Sequence, residues 1–151
     1  MSKMEADFAS VWNRVTGTNT AENELATLQR WIRDEAEGVR SYEALLHGKP
    51  PAPAVETLRA LLRQQRRQLR QLQTLYYLRT GDTFSVALPE RREMQPWMKA
   101  LRERYEAALT QAEGYRQAAS KRRDTAALCA MLAEEKDGQA GRLRQLAERL
   151  L

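Results

Sequence analysis

Two pairs of polar residues interrupt leucine-rich stretches at the same place in their frames. Leu58, Leu61, Gln65, Gln68, Leu72 and Leu75 are spaced alternately by three and four, so they share one helix face. Cys129, Leu132, Lys136, Gln139, Leu143, Leu146 and Leu150 keep the same frame and break it at the same level. A polar pair three apart, facing into a helix bundle, stands where a bundle would hold a metal. The residue types oppose that chemistry. A metal centre needs anionic oxygens and imidazole nitrogens to offset its charge. Glutamine is neutral and a weak ligand, and the lysine ammonium repels a cation. What remains is hydrogen bonding and charge pairing with a buried carboxylate. Glu35 supplies one, in the frame Leu25, Leu28, Ile32, Glu35, Val39, Tyr42, Leu46.

These side chains need helices to position them, and the punctuation of the chain marks those helices. Phe8, Val11, Trp12 and Val15 form a short apolar stripe at helical spacing, and Gly17 predicts its end. Asn19 with Glu22 resembles a capping box, and Thr20 is an equally good cap. The helix that follows runs to about His47, where Gly48, Pro50, Pro51 and Pro53 force a short link. A second long helix spans about 54–79 and stops at Gly81. A longer irregular stretch, 82–95, precedes a third helix that begins near Pro96 and fades around Ser120. Asp124 or Thr125 caps the fourth. The third helix reads Met98, Leu101, Tyr105, Ala108, Ala112, Tyr115, Ala119. Residues 1–17 are thus expected to form a short N-terminal helix and 18–151 a four-helix bundle. Antiparallel packing would bring Glu35, Gln65, Gln68, Lys136 and Gln139 to one level.

Composition agrees with an all-α chain. The 151 residues are rich in Leu, Ala, Arg, Gln and Glu, with 7 Gly and 5 Pro, and suffice for one domain with a real core. No apolar run approaches the ~18 residues that span a bilayer, and no signal-peptide pattern opens the chain. The single cysteine, Cys129, cannot form an internal disulfide, so a cytoplasmic setting is expected. A net charge of +5 permits an acidic partner without requiring one.

Links that are short, long and short match the ferritin-like connection pattern, in which the second and third helices run parallel. On these residues the chain resembles the ferritin-like, rubrerythrin-related di-iron proteins. That family places one Glu on each of two helices and Glu-x-x-His on each of the other two. Asp34-Glu35 followed by Tyr42 is similar to its first helix. Gln65-x-x-Gln68, then Leu72, Leu75, Tyr76 and Thr80-Gly81, is similar to its second helix and exit. Aligning Tyr115 with Tyr42 puts Ala108 at the third helix's ligand position, and Glu106 is out of frame. Lys136 and Gln139 stand where the fourth helix would carry Glu and His. A shift of one residue offers Glu135, but its partner is then Gly138. The resemblance therefore implies a degenerate site, Glu35, Gln65, Gln68, Ala108, Lys136 and Gln139, in which Glu35 alone keeps a ligand identity. It implies no cofactor and no di-iron oxidase, peroxidase or ferroxidase activity.

Lys136 is the natural counter-ion for Glu35, with Gln65, Gln68 or Gln139 completing its hydrogen bonds. The alternative is that Lys136 snorkels outward and Glu35 reaches solvent. His47, at a helix end and alone of its type, reads as solvated or structural. Cys129 reads as a core thiol without a histidine partner, and Tyr42, Tyr105 and Tyr115 as core aromatics. Trp12, Trp31 and Trp97 could anchor the N-terminal stripe. No phosphate loop, hydrolase triad or zinc pattern occurs, so no catalytic residue is assigned. Arg59, Arg63, Arg66, Arg67 and Arg70 crowd the second helix, and Lys121, Arg122 and Arg123 form a loop cluster. Interspersed acids and the lack of an aromatic platform favour a solvated, ion-paired face over a nucleic-acid surface.

The leading expectation is a non-enzymatic structural or interaction protein. One alternative is an iron- or manganese-dependent oxidoreductase using Glu35, Glu106, Glu134 and Glu135. Another is a basic adaptor for an acidic partner. The N-terminal stripe could pack on its own bundle or on another copy, which leaves a homo-oligomer open.

Overall fold

A computed structural model describes residues 8–87 and 96–151, with the backbone alone for 8–22. It is an all-α four-helix bundle: α1 (Phe8–His47), α2 (Ala52–Thr80), α3 (Trp97–Lys121) and α4 (Ala126–Leu150), with a 3-10 turn at Arg123–Thr125 before α4. Among the described residues no helix is long and apolar enough to cross a membrane.

The helix ends follow from local chemistry. Pro51 caps α2 and Pro53 lies in its first turn, where a missing N–H costs nothing. Gly81 closes α2 with φ of 78° and donates its N–H to the Tyr77 carbonyl at 2.8 Å. That left-handed cap is cheap only for glycine. Pro96 takes the cap position of α3 and Thr125 that of α4, neither with a side-chain capping bond.

The expected stop at Gly17 does not occur. α1 is one helix from Phe8, and the proposed caps Asn19 and Thr20 lie inside it. One interior glycine costs only about 1 kcal/mol, and no proline removes a ladder donor there. The apolar stripe Phe8, Val11, Trp12, Val15 and its packing lie outside the described side chains, as does the connection over 88–95 with Pro89.

α1 packs on α2 and α3, and α4 packs on α3 and α2. Two apolar clusters fill the bundle. One joins Val39, Tyr42 and Leu45 of α1 to Ala54, Leu58, Leu61 and Leu62 of α2, Leu101 of α3, and Leu143 and Leu146 of α4. The other joins Leu28, Trp31 and Ile32 to Leu72, Tyr115, Ala118, Cys129, Leu132 and Ala133. The starts of α2 and α3 thus share the first cluster and their later turns the second. Each fully buried Leu or Ile contributes roughly 1.5–3 kcal/mol by leaving water.

Trp31 tilts against Tyr115 with ring centroids 5.0 Å apart, and Trp97 donates Nε1–H to the Leu45 carbonyl at 2.9 Å. Two of the three tryptophans therefore tie the described bundle together. The face of α3 differs from expectation. Arg104 and Ala118 are buried where Tyr105 and Ala119 were placed, and those two are only partly covered. Arg79 at the end of the α2 seam is exposed.

Candidate functional site

Between the two apolar clusters lies a polar layer. Glu35 sits one turn from Ile32 and Val39, Gln65 and Gln68 sit between Leu61 and Leu72, and Lys136 and Gln139 sit between Leu132 and Leu143. The flanking leucines dictate this: once they are buried, the helix repeat carries the residues between them inward. Glu35, Gln65, Gln68 and Lys136 are 0% exposed and Gln139 1%. Neither Lys136 nor Glu35 escapes to solvent.

The Lys136 Nζ donates to Glu35 Oε1 at 2.6 Å, Gln65 Oε1 at 2.9 Å and Gln68 Oε1 at 2.7 Å. An ammonium has three protons, and each finds an acceptor. Glu35 Oε1 also accepts from Gln65 Nε2 at 2.5 Å, and the Tyr115 hydroxyl donates to Oε2. Gln65 Nε2 reaches the Glu35 backbone carbonyl as well, at 3.0 Å. Gln139 meets Lys136 only through Gln68, to whose Oε1 it donates at 3.2 Å, and it accepts from the Tyr42 hydroxyl at 3.2 Å. The network then leaves the core along α2 and α4. Gln68 donates to Glu135, which Arg67 also holds at 3.0 Å, and Gln139 donates to Gln64 at 3.0 Å.

Burial pulls the Lys136 ammonium below its ordinary pKa, and the Glu35 carboxylate opposes that pull. The desolvation cost of a buried pair can rival its attraction, so orphaning one partner costs more than the intact pair adds. Burial, Glu35's charge and the hydrogen bond to Glu35 hold the Tyr115 phenol well above its usual value. Burial pushes Tyr42 up to about 12, with Arg104 opposing and Glu35 assisting.

Both phenols are neutral in the folded and unfolded chain below about pH 10, where the stability they carry is complete. Between pH 10 and about 12 the unfolded chain ionises Tyr42 and the folded one does not, so stability falls. We expect two of the five tyrosines to ionise in an absorbance titration only as the helical signal is lost. Reversible ionisation of all five with the helices intact would contradict this.

Ala108 is fully buried on α3, seven residues from both Leu101 and Tyr115, and offers only a methyl group to this level. Glu106 and Glu134 are exposed. His47 is exposed, and burial raises the thiol of buried Cys129 above its ordinary value, away from nucleophilic use.

Three further residues complete the site: Gly38 and Arg104, which lie outside the expected seams, and Tyr115, expected as a core aromatic but not as a partner of Glu35. Tyr115 is a core aromatic whose hydroxyl also fixes Glu35. Gly38 is the second: a Cβ there would lie 2.2 Å from Gln65 Nε2 and 2.7 Å from its Cδ. Its signal is a glycine in mid-helix three residues after Glu35. Arg104 is the third. It is buried, stacks 5.4 Å from the Tyr42 ring centroid, donates to Gln111 at 3.3 Å and leaves Nε unpartnered. Its spacing from Leu101 and Ala108 fits the core face as well as that of Tyr105, and its charge argued for the surface.

The donor set does not fit a di-metal centre. Both oxygens of Glu35 already accept hydrogen bonds, and both glutamine oxygens face an ammonium. Among the described residues no three His, Cys, Asp or Glu side chains are grouped to hold a metal. No protein-family model, curated protein or solved structure matches the chain.

Proposed function

We propose that this chain is a ferritin-like bundle, related to rubrerythrins, in which a buried Lys136–Glu35 pair takes the place of a di-iron centre. It acts as a structural or interaction protein and not as an oxidoreductase. The observation that carries this reading is the Lys136 ammonium, set among three oxygens at 2.6–2.9 Å. One fixed cation offsets the one remaining carboxylate, with amide oxygens completing the shell. The shared cluster at the starts of α2 and α3 supports the parallel arrangement that one long connection allows.

The five side chains of the layer are at most 1% exposed, and its hydrogen bonds reach partly exposed residues only at Glu135 and Gln64. The layer therefore sets register. A slip of either α2 or α4 by one turn would leave Lys136 facing leucine.

The test is metal content of protein purified without chelator. Iron and manganese well below one equivalent per chain are expected, with no change in Glu35→Ala. Near-stoichiometric iron or manganese that disappears in Glu35→Ala would replace this reading by a metal-dependent oxidoreductase.

A further inference from the structure

Four arginines meet at a groove between α2 and α4. The groove is shallow and open to solvent, offers about 390 Å³, and is lined by Ala60, Arg63, Gln64, Arg67, Arg70 and Arg142. Helix spacing makes the α2 wall. Residues 60, 63, 64, 67 and 70 recur by three and four and share one face, on which Arg63 and Arg70 stand roughly 10 Å apart along the axis. Ala60 contributes only a methyl group and leaves that end of the groove hollow. Arg142 comes from the opposite wall.

The other arginines on α2 are committed. Arg59 pairs with Glu56 at 2.9 Å, and Arg66 pairs with Glu43 at 3.0 Å. Within the groove only Arg67 has a carboxylate, Glu135 at 3.0 Å. Arg63, Arg70 and Arg142 have no ion-pair or hydrogen-bond partner among the described residues. Gln64 uses its carbonyl oxygen to accept from Gln139 across the floor, which leaves its Nε2 amide as a further donor. Uncompensated guanidinium groups converging from two helices raise the local positive potential and offer planar, paired donors.

We propose that this groove binds a compact, multiply charged phosphoryl anion, such as a di- or triphosphate group. Guanidinium forks match phosphate oxygens in pairs, and a chain of linked phosphates presents several such edges within one short ligand. Arg63, Arg67 and Arg70 line one side along α2, and Arg142 closes the other. Two walls suit a short anion better than a polymer lying across a surface. No aromatic side chain lines the groove, so a nucleobase gains no stacking platform there. The affinity belongs to the phosphate chain, whether it is free or carried by a nucleotide.

Calorimetric titration at low ionic strength tests this, with inorganic triphosphate, a nucleoside triphosphate, sulfate and a 20-nucleotide single strand as probes. Triphosphate should bind saturably at one site per chain, at least tenfold tighter than sulfate, and the nucleoside triphosphate within about threefold of it. Arg142→Gln and Arg63→Gln should each weaken triphosphate about tenfold or more, as expected for lost charged hydrogen bonds. Arg102→Gln, on the exposed face of α3, should leave it within twofold. All three variants should keep the parent's helical signal. Four results would overturn the proposal: no saturable binding at millimolar triphosphate, equal affinity for sulfate, indifference to Arg142→Gln, or tighter binding of the single strand.

Discussion

Replacing Lys136 by methionine is expected to destabilise the protein by about 3–5 kcal/mol, the usual cost of orphaning one member of a buried ion pair. Methionine fills nearly the same volume, so a cavity contributes little. The loss comes from what the ammonium leaves behind. Glu35 would keep Gln65 and Tyr115 as donors but no counter-charge, and the oxygens of Gln65 and Gln68 would each lose a donor. Urea unfolding with a fixed slope measures the effect. A midpoint equal to that of the parent would mean that Lys136 escapes the core in solution.

Gly38→Ala should also destabilise, by about 2–3 kcal/mol net, although alanine is the better helix former by about 1 kcal/mol. The new Cβ would overlap the Gln65 amide. That amide ends a flexible side chain, but it is pinned by the Glu35 carboxylate, the Glu35 carbonyl and Lys136. Moving it breaks those bonds inside a layer closed to water. Shortening the partner should relieve the clash, so Gly38→Ala should cost distinctly less in a Gln65→Ala background. A single variant that melts above the parent would show that Gln65 can swing away freely.

The sequence made the polar layer legible because leucines frame it. Gln65 and Gln68 break a clear seam on α2, and Lys136 and Gln139 break another on α4, so their common level can be read without coordinates. α3 has no such frame. Its run of alanine, arginine and tyrosine allows a three- or four-residue step at each turn, and the long aliphatic stem of Arg104 tolerates burial as well as Tyr105 would. Tyr115 was legible as an aromatic on the core face. Its bond to Glu35 was not, because it depends on how closely α1 and α3 approach. Gly17 marked an end that the backbone does not make, since the flanking residues all permit helix. Gly38 carried its message in its smallness, which matters only once Gln65 is known to lie against it. The basic face of α2 read as an ion-paired surface. That holds for Arg59, which pairs within α2, and for Arg66 and Arg67, whose partners Glu43 and Glu135 come from α1 and α4, but not for Arg63 and Arg70; which arginines meet a carboxylate depends on how the helices pack.

Lys136 and Glu35 neutralise each other in the middle of the bundle. A double-mutant cycle with Lys136→Met, Glu35→Leu and their combination isolates that coupling from the packing changes each substitution brings. The double variant should be far more stable than the sum of the single losses predicts, with a coupling of about 3 kcal/mol or more. Additive losses, within about 0.5 kcal/mol, would contradict the pairing and with it the reading of the layer.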